Sequence, residues 1–492
     1  MSHGVLSGFI ATRLNDMGDD NEDHRSVTEQ TAPASAIDPD EAGSSRTESG
    51  AETSNGGPWH RDPDQLLVYA CALLIASAAF SAYDAVSLLA GGVGVALAAP
   101  AALVARHHPI VKACVALGVV WLVYGFAVGA MPALNDRTAV SDWVSTEGRS
   151  LVVVGLAAAM CGLRRAATFR RILSAVVWLI SGVSGVTAAL YLAGVDTVRG
   201  GNLLFGFATS HHVLGFLACA GMLVLIVRPH LIATTAIRAV AFGSMFAAAV
   251  LSGSRTSIIA VLICGTIVVA GRYPIRSLVR PALAGFVIVG LALAGSSRLR
   301  ETVDIVTTAE FYRDAKISFN SGDSVTAIEA SSSEAEANIL IRFSIWGRTV
   351  DQFIASPIIG IGRYRVNDEG PTSVGVEGFV YLVTDAERTL HNDDQPHNQY
   401  LYLLAETGLV GFALGALPFW LAWRRTKPDP GRGFDDDRLL SRVSMLFGAL
   451  VGVVSAGLLG TGVGLIGMIM IFGGMRAWEV TGPYAIDESR SE

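Results

Sequence analysis

The residues best suited to chemistry lie where a long polar segment meets an apolar stretch near the C-terminal end of the chain. His397 and Asn398 stand at this boundary, and Glu406 follows inside the apolar stretch. A histidine titrates near neutral pH and can act as a general base toward a hydroxyl group. At ~1.5 Å per helical residue, Glu406 would lie roughly 13 Å from His397, within a membrane-spanning helix where acids are costly and usually functional. The polar entrance runs without a break into this helix, and the pattern predicts a site at its mouth.

Four arginines are predicted to lie on the same side of the membrane as His397. They are Arg199, Arg255, Arg342 and Arg348. An arginine stays charged and binds phosphate oxygens bidentately, so these residues could hold a phosphate-bearing leaving group at the membrane surface. Electrostatic stabilisation of developing charge is often the largest catalytic contribution.

The elements that position these residues must be membrane helices. The chain has 492 residues, is 51% hydrophobic and only 16% charged, and has a mean hydropathy of +0.47. This composition excludes an ordinary soluble enzyme and indicates an all-α polytopic protein of the lipid bilayer. The net charge of −7 is acidic, and much of the acid lies in the N-terminal tail, so no nucleic acid partner is indicated.

The apolar stretches predict about twelve transmembrane helices. They lie near 66–82, 86–104, 110–130, 148–163, 172–194, 211–228, 234–252, 255–271, 279–296, 399–422, 440–458 and 461–478. Every second connecting loop is rich in arginine and lysine, and loops of this kind usually lie in the cytoplasm. This pattern predicts that both termini are cytoplasmic and that His397 lies on the outer face. The predicted organisation is a disordered cytoplasmic tail (1–64), transmembrane helices 1–9 (65–296), a long extracytoplasmic loop (297–398), transmembrane helices 10–12 (399–478) and a cytoplasmic tail (479–492).

The long loop contains one predicted helix. Ser318–Ser333 is rich in Ser, Asp and Ala and is predicted to be mobile. Apolar residues in 336–355 recur at helical spacing, which predicts an amphipathic helix on the membrane surface with Arg342 and Arg348 near its polar edges. A Gly-containing turn, Pro357–Gly362, ends this helix.

These features resemble the O-antigen ligase and polymerase superfamily, which also contains bacterial protein-glycosylating ligases. The histidine motif of that superfamily, H-[NSQ]-x9-G-x-x-G, is matched by His397, Asn398, Gly408 and Gly411. Phe412-Ala413 stand where its lipopolysaccharide ligases carry two threonines. Three further segments are similar to the superfamily: Ser252–Thr256, Arg342–Trp346 followed by Pro357–Gly362, and Arg199–His212.

The resemblance implies a C-type glycosyltransferase fold. It also implies transfer of a glycan, with inversion and without a metal or other cofactor, from an undecaprenyl-diphosphate carrier to an acceptor hydroxyl. The reaction would take place on the outer side of the cytoplasmic membrane, and the acceptor could be a glycan, a lipid or a protein. In this interpretation His397 is the catalytic base, and Arg255 with Arg348 or Arg342 binds the diphosphate, with Arg199 as a third. Supporting roles fall to Asn398, Glu406, Gly408 and Gly411.

Simpler interpretations remain open for these residues. His397 could be an interfacial polar cap, Arg255 could flank a span by snorkelling, and Arg342 or Arg348 could lie on a solvated helix face. Glu406 could be a structural hydrogen-bond partner. His391, Asp393, Asp394 and His397 could be drawn as a metal cluster, although such a set is a weak ligand group.

Two further alternatives concern function. Asp435-Asp436-Asp437 contains the D-x-D of metal-dependent sugar transferases, but its predicted position is cytoplasmic, and we interpret it as a solvated loop. A transporter or flippase of polyprenyl-linked glycan also fits twelve spans with both termini inside. A transporter should contain repeats and broken helices near the midplane, which the sequence does not indicate. A protein that signals through the external loop is a third possibility.

Overall fold

The computed structural model describes most of the chain between residues 62 and 481. The described residues are 62–130, 151–200, 203–208, 210–272, 287, 290, 294, 297–362, 397–427, 435–453 and 462–481. All of them belong to one of the two units into which the chain divides, Pro58–Glu492. Outside the described residues lie the predicted tail up to residue 61, most of the ninth span (279–296), the segment that carries His391, Asp393 and Asp394, and residues 482–492.

The described part of the chain is almost entirely helical, which confirms the all-α prediction. The first helices are α1 (Pro63–Ala79), α2 (Asp84–Val104), α3 (Pro109–Gly125), α4 (Leu151–Cys161), α5 (Ala166–Leu192), α6 (His211–Val227), α7 (Thr235–Leu251) and α8 (Arg255–Arg272). There follow α9 (Ser297–Val306), α10 (Ala309–Ser321), α11 (Ser324–Ala330), α12 (Glu334–Ala355), α13 (Gln399–Arg425), α14 (Asp436–Gly452) and α15 (Gly462–Thr481). Two short strands, β1 (Arg199–Gly200) and β2 (Leu203–Leu204), pair antiparallel between α5 and α6.

Several helices are long and apolar enough to cross a membrane. Among the described residues these are Asp84–His107, Pro109–Val128, Ala166–Leu192, Arg255–Arg272 and Gln399–Arg425. Shorter apolar helices are α1, α4, α6 and α7. The chain is therefore a multi-pass membrane protein, whereas the predicted number of about twelve spans is not confirmed.

Helix α6 lies at the centre of the helix bundle. Almost every residue from Val213 to Val227 is buried, as expected for a helix that is apolar on all sides. At the periphery, Leu88 and Leu89 of α2 are 77% and 71% exposed, which is typical of a surface that faces lipid.

The ends of three helices meet on the side of the bundle opposite His397. Asp437 of α14 pairs with Arg228 at the end of α6, and Asp436 pairs with Arg272 at the end of α8. Two of the three acids are therefore ion-paired and the third, Asp435, caps α14, so the run is not the solvated loop that we predicted. Burial raises the pKa of Asp437 to about 6, against the opposing effect of Arg228. Asp437 precedes the apolar stretch that is predicted to begin at residue 440.

Helices α9 to α12 form a small core of their own. The residues of this core are Phe311 and Ala315 of α10, Ala327 of α11, and Leu340, Ile341 and Ile345 of α12. The predicted helix at 336–355 is confirmed as α12. Its apolar face packs against α10 and α11.

The Ser/Asp-rich segment is also mostly helical, where we predicted a mobile connection. Its polar residues act as helix caps, a role that Ser, Thr and Asp favour. The Asp323 carboxylate accepts from Val325 N (2.9 Å) to begin α11. Ser333 accepts from Glu336 N (3.2 Å) to begin α12, and the Glu336 carboxylate accepts in return from Ser332 N (2.6 Å).

Candidate active site

Helix α13, which follows His397, is broken at Gly408. This residue has φ 61° and ψ −168°, a conformation that strongly favours glycine. The break divides α13 into an upper arm, Gln399–Thr407, and a lower arm, Leu409–Arg425. Sequence analysis predicted a single span at 399–422 and did not indicate this break.

The backbone groups freed by the break are taken up by the exit turn, Pro357–Gly362, which follows α12. Two amides of the lower arm donate to the exit turn: Leu409 N to Pro357 O (2.9 Å) and Val410 N to Ile358 O (3.1 Å). Two amides of the exit turn donate to the upper arm: Ile361 N to Ala405 O (2.9 Å) and Gly362 N to Glu406 O (3.0 Å). Buried backbone groups must be paired, so the exit turn substitutes for the helical bonds that α13 lacks. The exit turn and the break thus form one hydrogen-bonded unit.

Close backbone approach explains the glycines of this unit. A Cβ on Gly360 would lie 2.3 Å from the Glu406 carbonyl carbon, and one on Gly408 would lie 2.3 Å from the Ile358 oxygen. A Cβ on Gly411 would lie 2.3 Å from Thr407 Cβ. The Gly408-x-x-Gly411 spacing of the histidine motif therefore serves packing at the break.

Helix α3 completes the unit with two side-chain donors. The Tyr124 hydroxyl lies 2.6 Å from Ile359 O and 2.7 Å from Thr407 O. The Trp121 indole nitrogen donates to Gly411 O (3.1 Å). Sequence analysis missed both residues, because aromatic side chains near the end of a span are also typical of the membrane interface.

The N-terminus of the upper arm holds His397 and Asn398. His397 is 7% exposed, and its φ of 49° makes it the only non-glycine residue with positive φ in the described part of the chain. The Asn398 side chain accepts from Tyr400 N (3.1 Å) and Leu401 N (3.0 Å). Asn398 is therefore the N-cap of α13, which gives the second position of the motif a clear structural reason.

Glu406 lies at the lower end of the upper arm and is fully buried. Its neighbour Ala405 packs with Tyr402 and with Ile361 of the exit turn in a small apolar cluster. The acid thus stands at the junction of the upper arm and the exit turn, one residue from the backbone carbonyl that Tyr124 contacts.

Arg255 is the first residue of α8 and follows a tight turn at Gly253 (φ 66°). Its guanidinium donates to the Thr302 hydroxyl on α9. Helix α6 packs closely against this turn, because a Cβ on Gly215 of α6 would lie 2.3 Å from Ser254 Cβ. Helix α9 packs against α12, and α12 packs against α13. A continuous chain of contacts therefore links Arg255 to the helix that carries the motif.

The two arginines of α12 differ in surroundings. The Arg348 side chain lies across the α10–α11 junction, where a Cβ on Gly322 would be 2.8 Å from its Cγ. The Thr326 hydroxyl, bound to Asp323, lowers the pKa of that carboxyl, and Arg348 adds to the shift. Arg342 lies six residues earlier and projects about 120° away around the helix.

Arg199 turns back toward α5. Its guanidinium donates to Tyr191 O (2.6 Å) and lies 4.6 Å from the centre of the Tyr191 ring. The structure therefore places this arginine at the end of α5, with no contact to α13 among the interactions that the described residues make.

An apolar cavity of about 110 Å³ lies beneath the break. It is lined by α3, α4, the lower arm of α13 and α15, and its walls include Leu117, Trp121, Val154, Leu414, Phe419 and Met468. Trp121 forms its upper boundary and also bonds to Gly411 O. The cavity therefore adjoins the unit that supports His397.

Residues 240–416 match the family model described as O-antigen ligase. The matched region begins in α7 and includes Arg255, α9 to α12, the exit turn, His397 and the break. The match supports the resemblance to the O-antigen ligase and polymerase superfamily and a membrane glycan ligase or polymerase of surface-polysaccharide biosynthesis. No curated protein matches the chain.

Proposed function

With the match to the O-antigen ligase model as premise, we propose that this protein transfers a glycan from an undecaprenyl-diphosphate carrier to an acceptor hydroxyl. The reaction takes place on the outer side of the cytoplasmic membrane, with both termini in the cytoplasm. The observation that carries the proposal is the position of His397: buried, and capped onto a broken helix within the matched region.

His397 serves as the general base. The acceptor oxygen attacks the anomeric carbon of the donor sugar from the side opposite the diphosphate, and the acceptor proton passes to the imidazole. The carbon–oxygen bond to the diphosphate breaks as the new glycosidic bond forms, which inverts the anomeric centre. A positioned base of this kind contributes roughly 10²–10⁴-fold to the rate.

Arginine side chains stabilise the departing diphosphate, so the reaction requires no metal. Arg255 is the principal ligand, because it begins α8 and lies against α9 of the external segment. Arg348 or Arg342 joins it from α12, and Arg199 contributes least because it contacts Tyr191. The N-terminal ends of α8 and α13 add favourable positive potential for an anion.

A short part of the donor's isoprenoid chain, as much as a cavity of about 110 Å³ admits, occupies the apolar cavity beneath the break. The cavity wall is nearly all apolar, and it adjoins the unit below His397. An apolar chain transferred there from lipid keeps its environment, whereas the diphosphate stays at the polar mouth of α13. Asn398, Glu406, Gly408 and Gly411 support this arrangement by fixing the upper arm.

The decisive test is a transfer assay with purified protein and a lipid-linked glycan donor. His397→Asn is the sharpest variant, since asparagine also tolerates positive φ and so preserves the backbone at this position. We expect the variant to fold normally and to lose at least about 100-fold in turnover. Wild-type turnover in this variant would end the assignment.

One observation favours a transporter of polyprenyl-linked glycan as a second candidate. The broken helix at Gly408 is a feature that many transporters use at their binding sites. Movement of labelled glycan across vesicles without any change in its covalent structure would favour transport. A new glycosidic bond on an added acceptor would favour the transferase.

The choice between ligase and polymerase depends on the acceptor. Mass spectrometry of surface glycans from a strain that lacks the protein distinguishes them. Single repeat units left on the carrier indicate a polymerase, and full-length chains left on the carrier indicate a ligase.

A further inference from the structure

The Tyr124 hydroxyl lies at the centre of the break in α13. Four backbone bonds join the exit turn to the two arms, and the Tyr124 hydroxyl lies within hydrogen-bond distance of two further carbonyls, those of Ile359 and Thr407. One of these carbonyls belongs to the exit turn and the other belongs to the upper arm. A single side chain from α3 therefore joins the external segment to the arm that carries His397.

The hydroxyl has only one proton for these two acceptors. Both oxygens lie at short hydrogen-bond distances, 2.6 Å and 2.7 Å, so the proton is shared between them or serves one at a time. Neither carbonyl can donate in return. Removal of the hydroxyl would deprive both carbonyls of this donor at once and loosen the joint.

We infer that Tyr124 is a positioning residue that sets the angle between the two arms of α13 and thereby the place of His397. The lower arm is fixed separately, by the bond from Trp121 to Gly411 O. His397 lies eleven residues above Gly408, or ~16 Å along the helix, so a rotation of about 4° at the break would move the imidazole by about 1 Å. A displacement of about 1 Å can cost on the order of 100-fold in rate.

The kinetic part of this inference rests on the proposed function. Tyr124→Phe is examined in single-turnover transfer with enzyme in excess over donor. We expect the rate constant to fall by about 10–100-fold, with an unchanged amplitude and an unchanged donor affinity. Enzyme is kept at saturating excess, where the amplitude is set by the donor, and the folded protein is quantified separately. A loss of folded protein alone would leave the rate constant at its wild-type value, and that result would overturn the positioning role.

A second measurement needs no activity. Hydrogen exchange of the backbone amides at the break (Ile361, Gly362, Leu409 and Val410) reports how firmly the joint is closed. In Tyr124→Phe we expect exchange to accelerate by about fivefold to tenfold, as for the loss of one ordinary hydrogen bond. Wild-type exchange rates in the variant would show that Tyr124 does not stabilise the break, and this outcome does not depend on what the protein catalyses.

Ser244→Ala is the matched control. Its hydroxyl makes a comparable contact between helices, from α7 to Ser181 O of α5 (3.2 Å), away from α13. We expect it to leave both the rate constant and the exchange at the break unchanged.

If the wild-type protein transfers no glycan, the proposed function fails and the exchange measurement alone decides the role of Tyr124. If exchange accelerates in Tyr124→Phe while the transfer rate stays at the wild-type value, the positioning role is refuted.

Discussion

Gly408 of α13 and Gly360 of the exit turn approach so closely that a Cβ on Gly408 would lie 2.6 Å from the Gly360 nitrogen. Both residues have positive φ, 61° and 72°. The approach allows the exit turn to supply hydrogen bonds to a helix that has lost its own. It also means that the exit turn and the course of α13 are fixed by the same contact.

We therefore expect Gly408→Ala and Gly360→Ala to destabilise the protein strongly. Each adds a Cβ against backbone atoms that cannot move aside, together with roughly 1–3 kcal/mol of backbone strain. Gly182→Ala in α5 is the control, because nothing lies within 4 Å of its added Cβ. Thermal unfolding in detergent should show a lowered Tm for Gly408→Ala and Gly360→Ala and an unchanged Tm for Gly182→Ala. Equal Tm values for all three would contradict the close approach.

Arg255 offers a direct test of diphosphate binding. Loss of a charged hydrogen bond costs about 1.5–3 kcal/mol, so Arg255→Gln should weaken inhibition by inorganic pyrophosphate by about 10–100-fold. Arg255→Lys should recover only part of the loss, because lysine cannot bind bidentately. Arg165→Gln is the control, since this arginine is 69% exposed and pairs with Asp62 near the start of α1. Unchanged pyrophosphate inhibition in Arg255→Gln would remove this residue from the site.

Sequence patterns predicted the parts of the site that depend on local chemistry. The His397-Asn398 pair marks a helix start because asparagine is a favoured N-cap, and the helix does begin at Gln399. The periodic apolar residues of 336–355 likewise predicted α12 within two residues of its observed start, because helical spacing is a local property.

The break in α13 was not predictable from local patterns. The bonds that stabilise it come from residues about fifty positions earlier in the chain and from Tyr124, which is 283 positions from Thr407. Nothing near Gly408 indicates these partners, because a single glycine is tolerated within an ordinary helix. The Ser/Asp-rich segment misled for a related reason, since residues that favour turns also favour helix caps.

The burial of Asp437 predicts a pH-dependent stability. Burial raises the pKa of Asp437 in the folded protein to about 6, above the value of roughly 3.9 that is usual for an aspartate in an unfolded chain. The folded state therefore holds this proton more tightly, and its contribution to stability is present below about pH 4 and is lost as the pH rises through 6. We expect this loss to be on the order of 2–3 kcal/mol and to be absent in Asp437→Asn.

Thermal unfolding between pH 4 and pH 7 measures this difference between wild type and variant. Asp436→Asn removes the neighbouring, more exposed carboxylate, whose charge adds only a small part to the raised pKa of Asp437, and should keep most of the wild-type slope. Because these acids lie at the end of the bundle opposite His397, the turnover of protein that remains folded should be unaffected in both variants. A loss of turnover that added Mn²⁺ restores would instead support a metal site at the D-x-D sequence.

The cavity beneath the break can be filled without disturbing its walls. A Cβ on Gly118 would have Val154 Cγ1 as its nearest neighbour, at 4.0 Å, so Gly118→Leu places new atoms mainly into empty space. If the isoprenoid chain of the donor lies there, Gly118→Leu should raise KM for a long-chain donor about tenfold and leave KM for a short-chain analogue unchanged. Gly155→Leu on α4 is the control, because nothing lies within 4 Å of its Cβ and it does not line the cavity. An equal change in KM for the long-chain donor and the short-chain analogue would show that the isoprenoid chain binds elsewhere. If added phospholipid, but not the donor, competes for the cavity, the cavity is a site for a membrane lipid.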